Sequence, residues 1–353
     1  MDLITVDFET YYDKDFSLRK VTTEAYIRDP QFEVIGVGVK VNDGQTEWAS
    51  GTHEQIKSYL HTFDWADAML LCHNTMFDGA ILAWIFDVRP RVLADTLCIA
   101  RALHGVEVGG SLHALTQRYN LGTKGTEVLD AKGKHRLDFT PEELGRYGDY
   151  CINDVELTYK LFMKMAKGFP RQEMRIIDMT LRMFTEPMLD LDIGLLRQHL
   201  ENTKKIKEDL ITSSGVTREQ LMSNPKFAEL LVSMNVEPPM KTSLTTGKET
   251  YAFAKNDEAF KALQEHDDPR VQALVTARLG TKSTLEESRT ERFIGIAKRG
   301  LIPIPVRYYA AHTGRWGGDD KINIQNLPSR GANGKKLKSS IIAPVGYTLV
   351  DCD

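Results

Sequence analysis

The sequence predicts a mixed α/β fold for roughly its first 165 residues and a mainly helical region after them. In the first part, short apolar runs bounded by turn residues alternate with segments of helical periodicity, as in α/β domains. Beyond Pro170, helical segments alternate with polar loops instead. With 353 residues, 42% of them hydrophobic, the chain can fill the cores of two or three domains.

Four short apolar runs predict strands in the first part of the chain. LITVDFE (3–9) is the first and EVIGVGVKV (33–41) the second, and the turn residues NDGQ join the second to TEWAS (46–50). These three runs predict an antiparallel meander. AMLLCH (68–73) predicts a fourth strand.

Helical periodicity predicts helices at 53–62, 75–86, 111–119 and 141–166. The last of them has a well-defined start, because Thr140 and Glu143 form a capping box and Pro141 occupies the first helical position. Gly168 and Pro170 predict its end.

The remainder of the chain reads as helical and then as short strands and turns. RQEMRIIDMTLRMF (171–184) and GLLRQHLENTKKIKEDL (194–210) predict helices, and helical segments continue to about residue 298. LIPIPVRYYAAHTGRW (301–316) returns to short β runs. GYTLVDCD (346–353) predicts a terminal strand.

Composition excludes several classes of protein. The start of the chain lacks the pattern of a secretion signal, and no stretch approaches the roughly 18 apolar residues of a membrane span. We therefore expect a cytoplasmic protein without a membrane partner. The cysteines form no C-x-x-C pair, which argues against a zinc site or a disulfide framework; they are Cys72, Cys98, Cys151 and Cys352.

The net charge of −4 does not by itself indicate a nucleic-acid partner, but its distribution does. Between residues 296 and 340 the chain has nine Lys or Arg residues and two acids, Asp319 and Asp320. Such a segment is suited to holding phosphates.

Asp7 and Glu9 form a pair of acids within the first predicted strand. Residues i and i+2 of a strand project from the same face, so the two carboxylates are expected side by side. A D-x-E pattern alone is more often a strand end that points into solvent. A divalent cation would instead make the pair favourable, because Mg²⁺ prefers carboxylate oxygens.

Two further pairs share helix faces. HNTMFD places Asn74 and Asp78 four residues apart at the start of a predicted helix, and YCIND places Tyr150 and Asp154 at the same spacing on the long capped helix. Taken alone, the first pair is explained by helix capping with a surface acid. Taken alone, Tyr150 is more often a packing residue.

A strand acid pair followed by N-x-x-x-D and Y-x-x-x-D resembles the DEDD 3′–5′ exonucleases in their tyrosine-bearing form. Residues 2 to about 167 resemble the proofreading domain of family A DNA polymerases. A histidine-bearing relative would have its catalytic base five residues before the last acid, where this sequence has Asp149. The resemblance implies a ribonuclease-H-like fold.

The resemblance also implies roles for these residues. Two Mg²⁺ or Mn²⁺ ions would lie at the scissile phosphate, with Asp7 on both, Glu9 and Asp154 on the nucleophile-side ion, and Asp78 on the second ion through water. Tyr150 would orient the attacking water, because a phenol is mostly protonated at neutral pH.

The expected substrate is the single-stranded 3′ end of DNA, and the expected product is a nucleoside 5′-monophosphate. Asn74 would contact the substrate. Phe8, Phe16 and Phe77 are candidates for stacking on the last bases, although core packing is the commoner explanation for such residues.

A second resemblance lies in AAHTGRWGGDDKINIQNLPSR (310–330), which is similar to the segment of family A polymerases that reaches the primer–template minor groove. Trp316, Gly317 and Gly318 depart from the family pattern. The polar residues that this resemblance assigns to DNA contacts are Arg315, Asn323, Gln325, Asn326 and Arg330.

APVGYTLVDCD (343–353) resembles the strand that holds the first catalytic aspartate of the polymerase palm, here Asp353, a metal ligand by this resemblance. The expected domains are therefore a 3′–5′ exonuclease at 1–168, a helical thumb-like region at 169–298 and the start of a palm at 299–353. Nucleotidyl transfer needs more than one carboxylate, so we do not expect this chain alone to polymerise DNA.

These features together predict the N-terminal portion of a family A DNA polymerase. We expect it to be of phage type, because the exonuclease begins at residue 1, and to act in the host cytoplasm. Its expected partners are single-stranded 3′ ends and primer–template DNA. Three alternatives stay open: a subunit of a split polymerase that needs a second chain, a standalone RNase-D-like exonuclease, and a DNA-binding scaffold whose carboxylates no longer bind metal.

Overall fold

The computed structural model describes residues 1–123, 125, 130–243, 245–282, 284–327 and 334–350. Their contacts form two compact units. The described parts of 1–190, 299–327 and 342–350 form the first unit, and those of 191–298 and 334–341 form the second. No helix among the described residues is both long enough and apolar enough to cross a membrane.

A five-stranded sheet in the order β3-β2-β1-β4-β5 forms the centre of the first unit. Its strands are β1 Asp2–Thr10, β2 Val34–Val41, β3 Thr46–Ala49, β4 Ala68–Cys72 and β5 Val92–Asp95. The first three strands are antiparallel, whereas β4 and β5 run parallel to β1. The predicted meander and fourth strand are confirmed, whereas β5 was not predicted.

The described residues around this sheet form the helices α1 Thr23–Ile27, α2 His53–Leu60, α3 Thr75–Ile85, α4 Thr96–His104, α5 Leu112–Arg118, α6 Pro141–Met165 and α7 Arg171–Thr185. The predictions of α2, α3, α5, α6 and α7 are confirmed. Two short helices, α1 and α4, were not predicted. Both capping-box contacts predicted for the start of α6 are present between Thr140 and Glu143.

Helix α6 packs closely on β1 and β2, and Gly38 of β2 allows this approach. A Cβ atom at Gly38 would lie 2.9 Å from the Cys151 sulfur and 2.9 Å from a methyl group of Val155. Such distances are shorter than van der Waals contact, so a side chain at this position would displace α6. Gly36, the other glycine of this strand, lies under the Trp48 ring, which a Cβ atom there would approach to 2.3 Å.

The second unit is mainly helical, as predicted. Its elements are α8 Ile193–Ser214, α9 Arg218–Met222, α10 Asn224–Ser233, the strands β7 Met240–Thr242 and β8 Glu249–Tyr251, and then α11 Glu258–Ala262, α12 Pro269–Lys282, α13 Leu285–Arg299 and α14 Gly334–Ser339. Strands β7 and β8 pair as an antiparallel hairpin that was not predicted. Arg278 is fully buried in this unit, with its guanidinium over the rings of Phe227 and Phe253.

Short elements complete the chain: β6 Asp190–Leu191, β9 Val306–Arg307, β10 Gly317–Gly318 and β11 Ile341–Ile342. The prediction of a strand at 346–353 is wrong for its described part, because residues 346–350 belong to no strand. Tyr347, Leu349 and Val350 are exposed. An apolar run becomes a strand only where a neighbouring strand accepts its hydrogen bonds, and the described residues provide none here.

The compact units differ from the predicted domain boundaries at two places. Helix α7 lies after the boundary at residue 168 but packs on α3 and β5 of the first unit. Residues 299–327, assigned to the start of a palm, also have their contacts in the first unit. The names exonuclease, thumb and palm for the three segments stay predictions.

Candidate active site

The end of β1 places the two predicted acids within reach of α6. Asp7 lies opposite Gly38 of β2, and Glu9 lies opposite Gly36. Asp7 is half-buried and Glu9 is 7% exposed. Desolvation and mutual repulsion make such a pair costly in free energy unless a positive charge or hydrogen-bond donors offset it.

Asp78 joins these acids from the first turn of α3. The helix starts after Asn74, whose backbone is left-handed with φ of +76°. Asp78 is 3% exposed, and its Oδ1 accepts a hydrogen bond from the backbone N–H of Phe8 at 3.0 Å. Burial, and after it the charge of Asp7, raises the pKa of the Asp78 carboxyl well above its ordinary value of 3.8. Asp7 and Asp78 therefore share one electrostatic site.

Helix α6 contributes Tyr150 and Asp154, which are 6% and 3% exposed. Burial raises the pKa of the Tyr150 phenol, and the charges of Asp154, Glu9 and Asp7 raise it further. The phenol consequently stays protonated at neutral pH and can donate a hydrogen bond. The structure thus brings together the five residues for which the sequence predicted catalytic roles, while the roles themselves stay predictions.

Two more residues of α6 contact the site and were not predicted. The Tyr147 hydroxyl donates a hydrogen bond to Oε2 of Glu9. The Cys151 sulfur lies 3.3 Å from the backbone oxygen of Asp7 and 3.7 Å from its Oδ2. Helical spacing could have indicated both, because Tyr147, Cys151 and Asp154 follow one another at spacings of four and three residues and so share one side of the helix.

The carboxylate oxygens among the donor atoms of the site fit a hard divalent cation. One ligand atom each of Asp7, Glu9 and Cys151 lies within 4.8 Å of the other two. Carboxylate oxygens are the preferred ligands of Mg²⁺ and Mn²⁺. A cation would also favour the ionised form of Asp78, because an opposite charge nearby lowers the pKa of a carboxyl group.

Asp95, at the end of β5, is a buried acid that supports the start of α3. Its Oδ1 accepts hydrogen bonds from the backbone N–H groups of Asn74 at 2.9 Å and Leu97 at 2.8 Å. The side chain of Asn74 is exposed and borders a cleft of about 490 Å³ that Arg101 also lines. The larger cleft of the first unit, about 1140 Å³, has none of the site's carboxylates in its lining. The predicted DNA contact of Asn74 stays a prediction.

The residues predicted to contact primer–template DNA differ in exposure. Arg315, Gln325 and Asn326 are exposed, and Asn323 is partly buried because its side chain accepts a hydrogen bond from the Asn326 N–H. Arg330 and Asp353 lie outside the described residues.

Some of the positive charges in the basic segment have partners within the protein. Arg299 binds Glu24, Arg307 binds Asp319, and the Lys321 ammonium donates to backbone oxygens of residues 19–21. These three side chains therefore have protein partners, so the expectation that the segment holds phosphates depends on its other cations.

The aromatic candidates for base stacking are largely core residues. Phe8 and Phe16 are 5% and 6% exposed, and the Phe16 ring stacks on Tyr26 at a centroid distance of 4.6 Å. Phe77 is partly buried, with its ring 6.2 Å from that of Tyr26. Packing accounts for the positions of all three side chains.

Comparison with known proteins gives consistent matches. Residues 2–169 match a family model for the 3′–5′ exonuclease domain of family A DNA polymerases. The chain is 24% identical over 278 residues to DNA polymerase I of Pseudomonas aeruginosa, covering 74% of this chain and 30% of that protein. It is 20% identical over 358 residues to the DNA polymerase of Bacillus phage SP02, covering 93% of this chain and 51% of that protein. The chain thus spans about a third to a half of these relatives.

Among solved structures, the fold is similar to that of the POL domain of Pol1 from M. smegmatis, solved in complex with DNA primer-template and dNTP. The TM-score is 0.62 at 16% identity, and the match covers 98% of this chain and 56% of that one. Together with the family match, this similarity confirms the predicted α/β architecture with a ribonuclease-H-like first domain.

Proposed function

We propose that this chain removes nucleotides from single-stranded 3′ ends of DNA as the proofreading part of a polymerase, because residues 2–169 match the 3′–5′ exonuclease domain of family A DNA polymerases. The observation that supports this most directly is the convergence of Asp7, Glu9, Asp78 and Asp154 around one site next to Tyr150. The reaction hydrolyses the terminal phosphodiester bond and yields a nucleoside 5′-monophosphate and a shortened strand.

Exonuclease domains of this family depend on metal ions, and the carboxylate cluster fits that requirement. When bound, two Mg²⁺ or Mn²⁺ ions supply Lewis-acid activation of water and charge stabilisation at the leaving 3′ oxygen. On our proposal Asp7 would hold both ions, Glu9 and Asp154 would help to hold the nucleophile-side ion, and Asp78 would hold the second through water.

The chain's own residues fix the geometry of this reaction. The Phe8 N–H holds the Asp78 carboxylate against β1, and the Tyr147 hydroxyl holds Glu9. Tyr150 stays protonated, so it orients the attacking water by hydrogen bonding and does not accept the proton of that water. Buried carboxylates of fixed orientation need little reorganisation when substrate binds.

The exonuclease proposal is tested with a labelled single strand in Mg²⁺. Asp7→Ala and Asp154→Ala should each abolish digestion, because each removes a carboxylate proposed to hold the nucleophile-side ion. Asp15→Ala, which removes an exposed acid outside the site, is the matched control and should digest normally. Full activity in both site variants would exclude the proposed site.

We also propose that residues 315–326 contact primer–template DNA. The similarity to whole polymerases extends well beyond residue 169, which favours a polymerase fragment or subunit over a standalone RNase-D-like enzyme. Arg315 is exposed and available for a phosphate. Arg315→Ala should weaken duplex binding for all sequences and lower the salt dependence by about one phosphate contact. Unchanged affinity and salt dependence would remove Arg315 from the proposed surface.

A further inference from the structure

Cys151 is the one non-carboxylate ligand-type side chain in the site cluster found among the described residues. It is fully buried where α6 meets β2, and its sulfur lies 3.7 Å from Oδ2 of Asp7. Cys72 and Cys98 are also buried, but neither belongs to that cluster. The position of its sulfur beside two carboxylates makes Cys151 different from an ordinary packing cysteine.

Sulfur changes which ions this site can hold. Mg²⁺ takes oxygen ligands in octahedral geometry, so the thiol adds nothing to its binding. Thiophilic ions such as Zn²⁺ combine sulfur, nitrogen and carboxylate ligands, and open zinc sites use three protein ligands plus water. Asp7, Glu9 and Cys151 supply three such ligands.

The distances agree with this donor set. A tetrahedral zinc ion with sulfur at about 2.3 Å and oxygen at about 2.1 Å separates those two donors by roughly 3.6 Å. The Cys151 sulfur and Oδ2 of Asp7 are 3.7 Å apart. The ligand atom of Glu9 lies within 4.8 Å of both, so it needs to move by only about 1 Å.

We infer that Cys151, together with Asp7 and Glu9, gives the exonuclease site a second mode of cation binding that takes thiophilic divalent ions and thereby inhibits DNA digestion. The inference rests on the proposed function, because inhibition follows from competition for the carboxylates that are proposed to hold Mg²⁺. As the sulfur–metal bond forms, the thiol proton leaves to the buffer. Cys151 would thus determine the metal specificity of the site.

Cadmium is a suitable probe because sulfur ligation gives Cd²⁺ an ultraviolet charge-transfer band. Cys352 lies outside the described residues, so it is replaced by serine in every protein used. In that background Cys98→Ser is the matched control, since its sulfur contacts Asp95 and not the site cluster. The band should titrate with one Cd²⁺ in the control and be lost in Cys151→Ser. A band of equal size in Cys151→Ser would overturn the inference.

Two further measurements test the inference independently of the ultraviolet band. The Cd²⁺ concentration that halves Mg²⁺-dependent digestion should rise at least about tenfold from the control to Cys151→Ser; an equal concentration counts against the inference. X-ray absorption of the Cys98→Ser protein loaded with one Zn²⁺ should show one sulfur at about 2.3 Å. A shell of oxygen and nitrogen alone would contradict the inference, even if Cys151→Ser failed to fold.

The same experiment separates the two proposals. Mg²⁺-dependent digestion by the Cys98→Ser protein, without added Cd²⁺, tests the exonuclease alone. Digestion without a Cys151-dependent band would reject the thiophilic site and leave the proposed function intact. A band without digestion would reject the proposed function, and with it the inhibitory role of the thiophilic site.

Discussion

Glu24 and Asp78 are both buried carboxylates of the first unit, but their electrostatic surroundings are opposite. Glu24 is completely buried and accepts from Nη2 and Nε of Arg299 at 2.7 and 2.9 Å and from Arg28 at 3.3 Å. Asp78 accepts from a backbone N–H, and the charge of Asp7 raises its pKa. Removing a buried acid that the chain pairs with cations therefore destabilises the fold, whereas an acid placed beside other acids is suited to an external cation.

The largest effects should come from removing one charge in each environment. Asp78→Asn should lower Mg²⁺-dependent digestion by at least about 100-fold, because the stabilisation supplied through one metal ligand amounts to several kcal/mol. The stability of the metal-free protein should not fall, since the substitution removes a repulsive buried charge. Glu24→Gln should instead lower the free energy of unfolding by about 3 kcal/mol, because it leaves two guanidinium groups without their acid.

Denaturant unfolding and digestion of a labelled strand measure both outcomes, and each variant is the control for the other. The pH dependence of stability gives a further test, because it reports the raised pKa of Asp78. A carboxyl whose pKa is raised by folding binds its proton more tightly in the folded state. The stability of the metal-free protein should therefore fall as pH rises from 3.8 towards the raised pKa of Asp78, and this contribution should vanish in Asp78→Asn. A greater loss of stability in Asp78→Asn than in Glu24→Gln would contradict the comparison.

The comparison of Asp78 with Glu24 also shows which contacts could be predicted from the sequence. Asp7 and Glu9 share a strand face, and Tyr150 and Asp154 share a helix face, so local periodicity was enough to group each pair. Glu24 and Arg299 are 275 residues apart, and no local pattern indicates that they meet. That basic segment consequently looked like a phosphate-binding surface, although part of its charge serves ion pairs within the protein.

Packing between elements explains why the contacts of Tyr147 and Cys151 with the site were not predicted from the sequence. Tyr147 and Cys151 reach the carboxylates because α6 lies close to β2, and this approach depends on the absence of a side chain at Gly38. A sequence pattern gives the face of a helix but not its distance from a sheet. Strand β5 was missed for a related reason: four residues are too few to show a period, and pairing with β4 defines the strand.

A smaller loss of activity should follow when Tyr147, whose uncharged hydroxyl donates a hydrogen bond to Glu9, is replaced. Tyr147 supplies a hydroxyl to a buried carboxylate where Glu24 has guanidinium groups, so it orients Glu9 without neutralising its charge. Tyr147→Phe should reduce kcat for digestion by about 10- to 100-fold, as expected when the hydrogen bond that orients a metal ligand is lost. Stability should fall by only about 1 kcal/mol, the usual contribution of one hydrogen bond.

A readout beyond rate distinguishes orientation of Glu9 from simple packing. The Mg²⁺ concentration that gives half-maximal digestion should rise in Tyr147→Phe, while the KM for the DNA strand should stay close to that of the wild type, because the hydroxyl contacts a metal-binding carboxylate and not the substrate. Tyr159→Phe removes a hydroxyl from the same helix, twelve residues further along, and serves as the matched control. An unchanged Mg²⁺ requirement in Tyr147→Phe would mean that the orientation of Glu9 does not depend on the Tyr147 hydroxyl, and that the Tyr147 ring contributes packing against Tyr150 and Phe139.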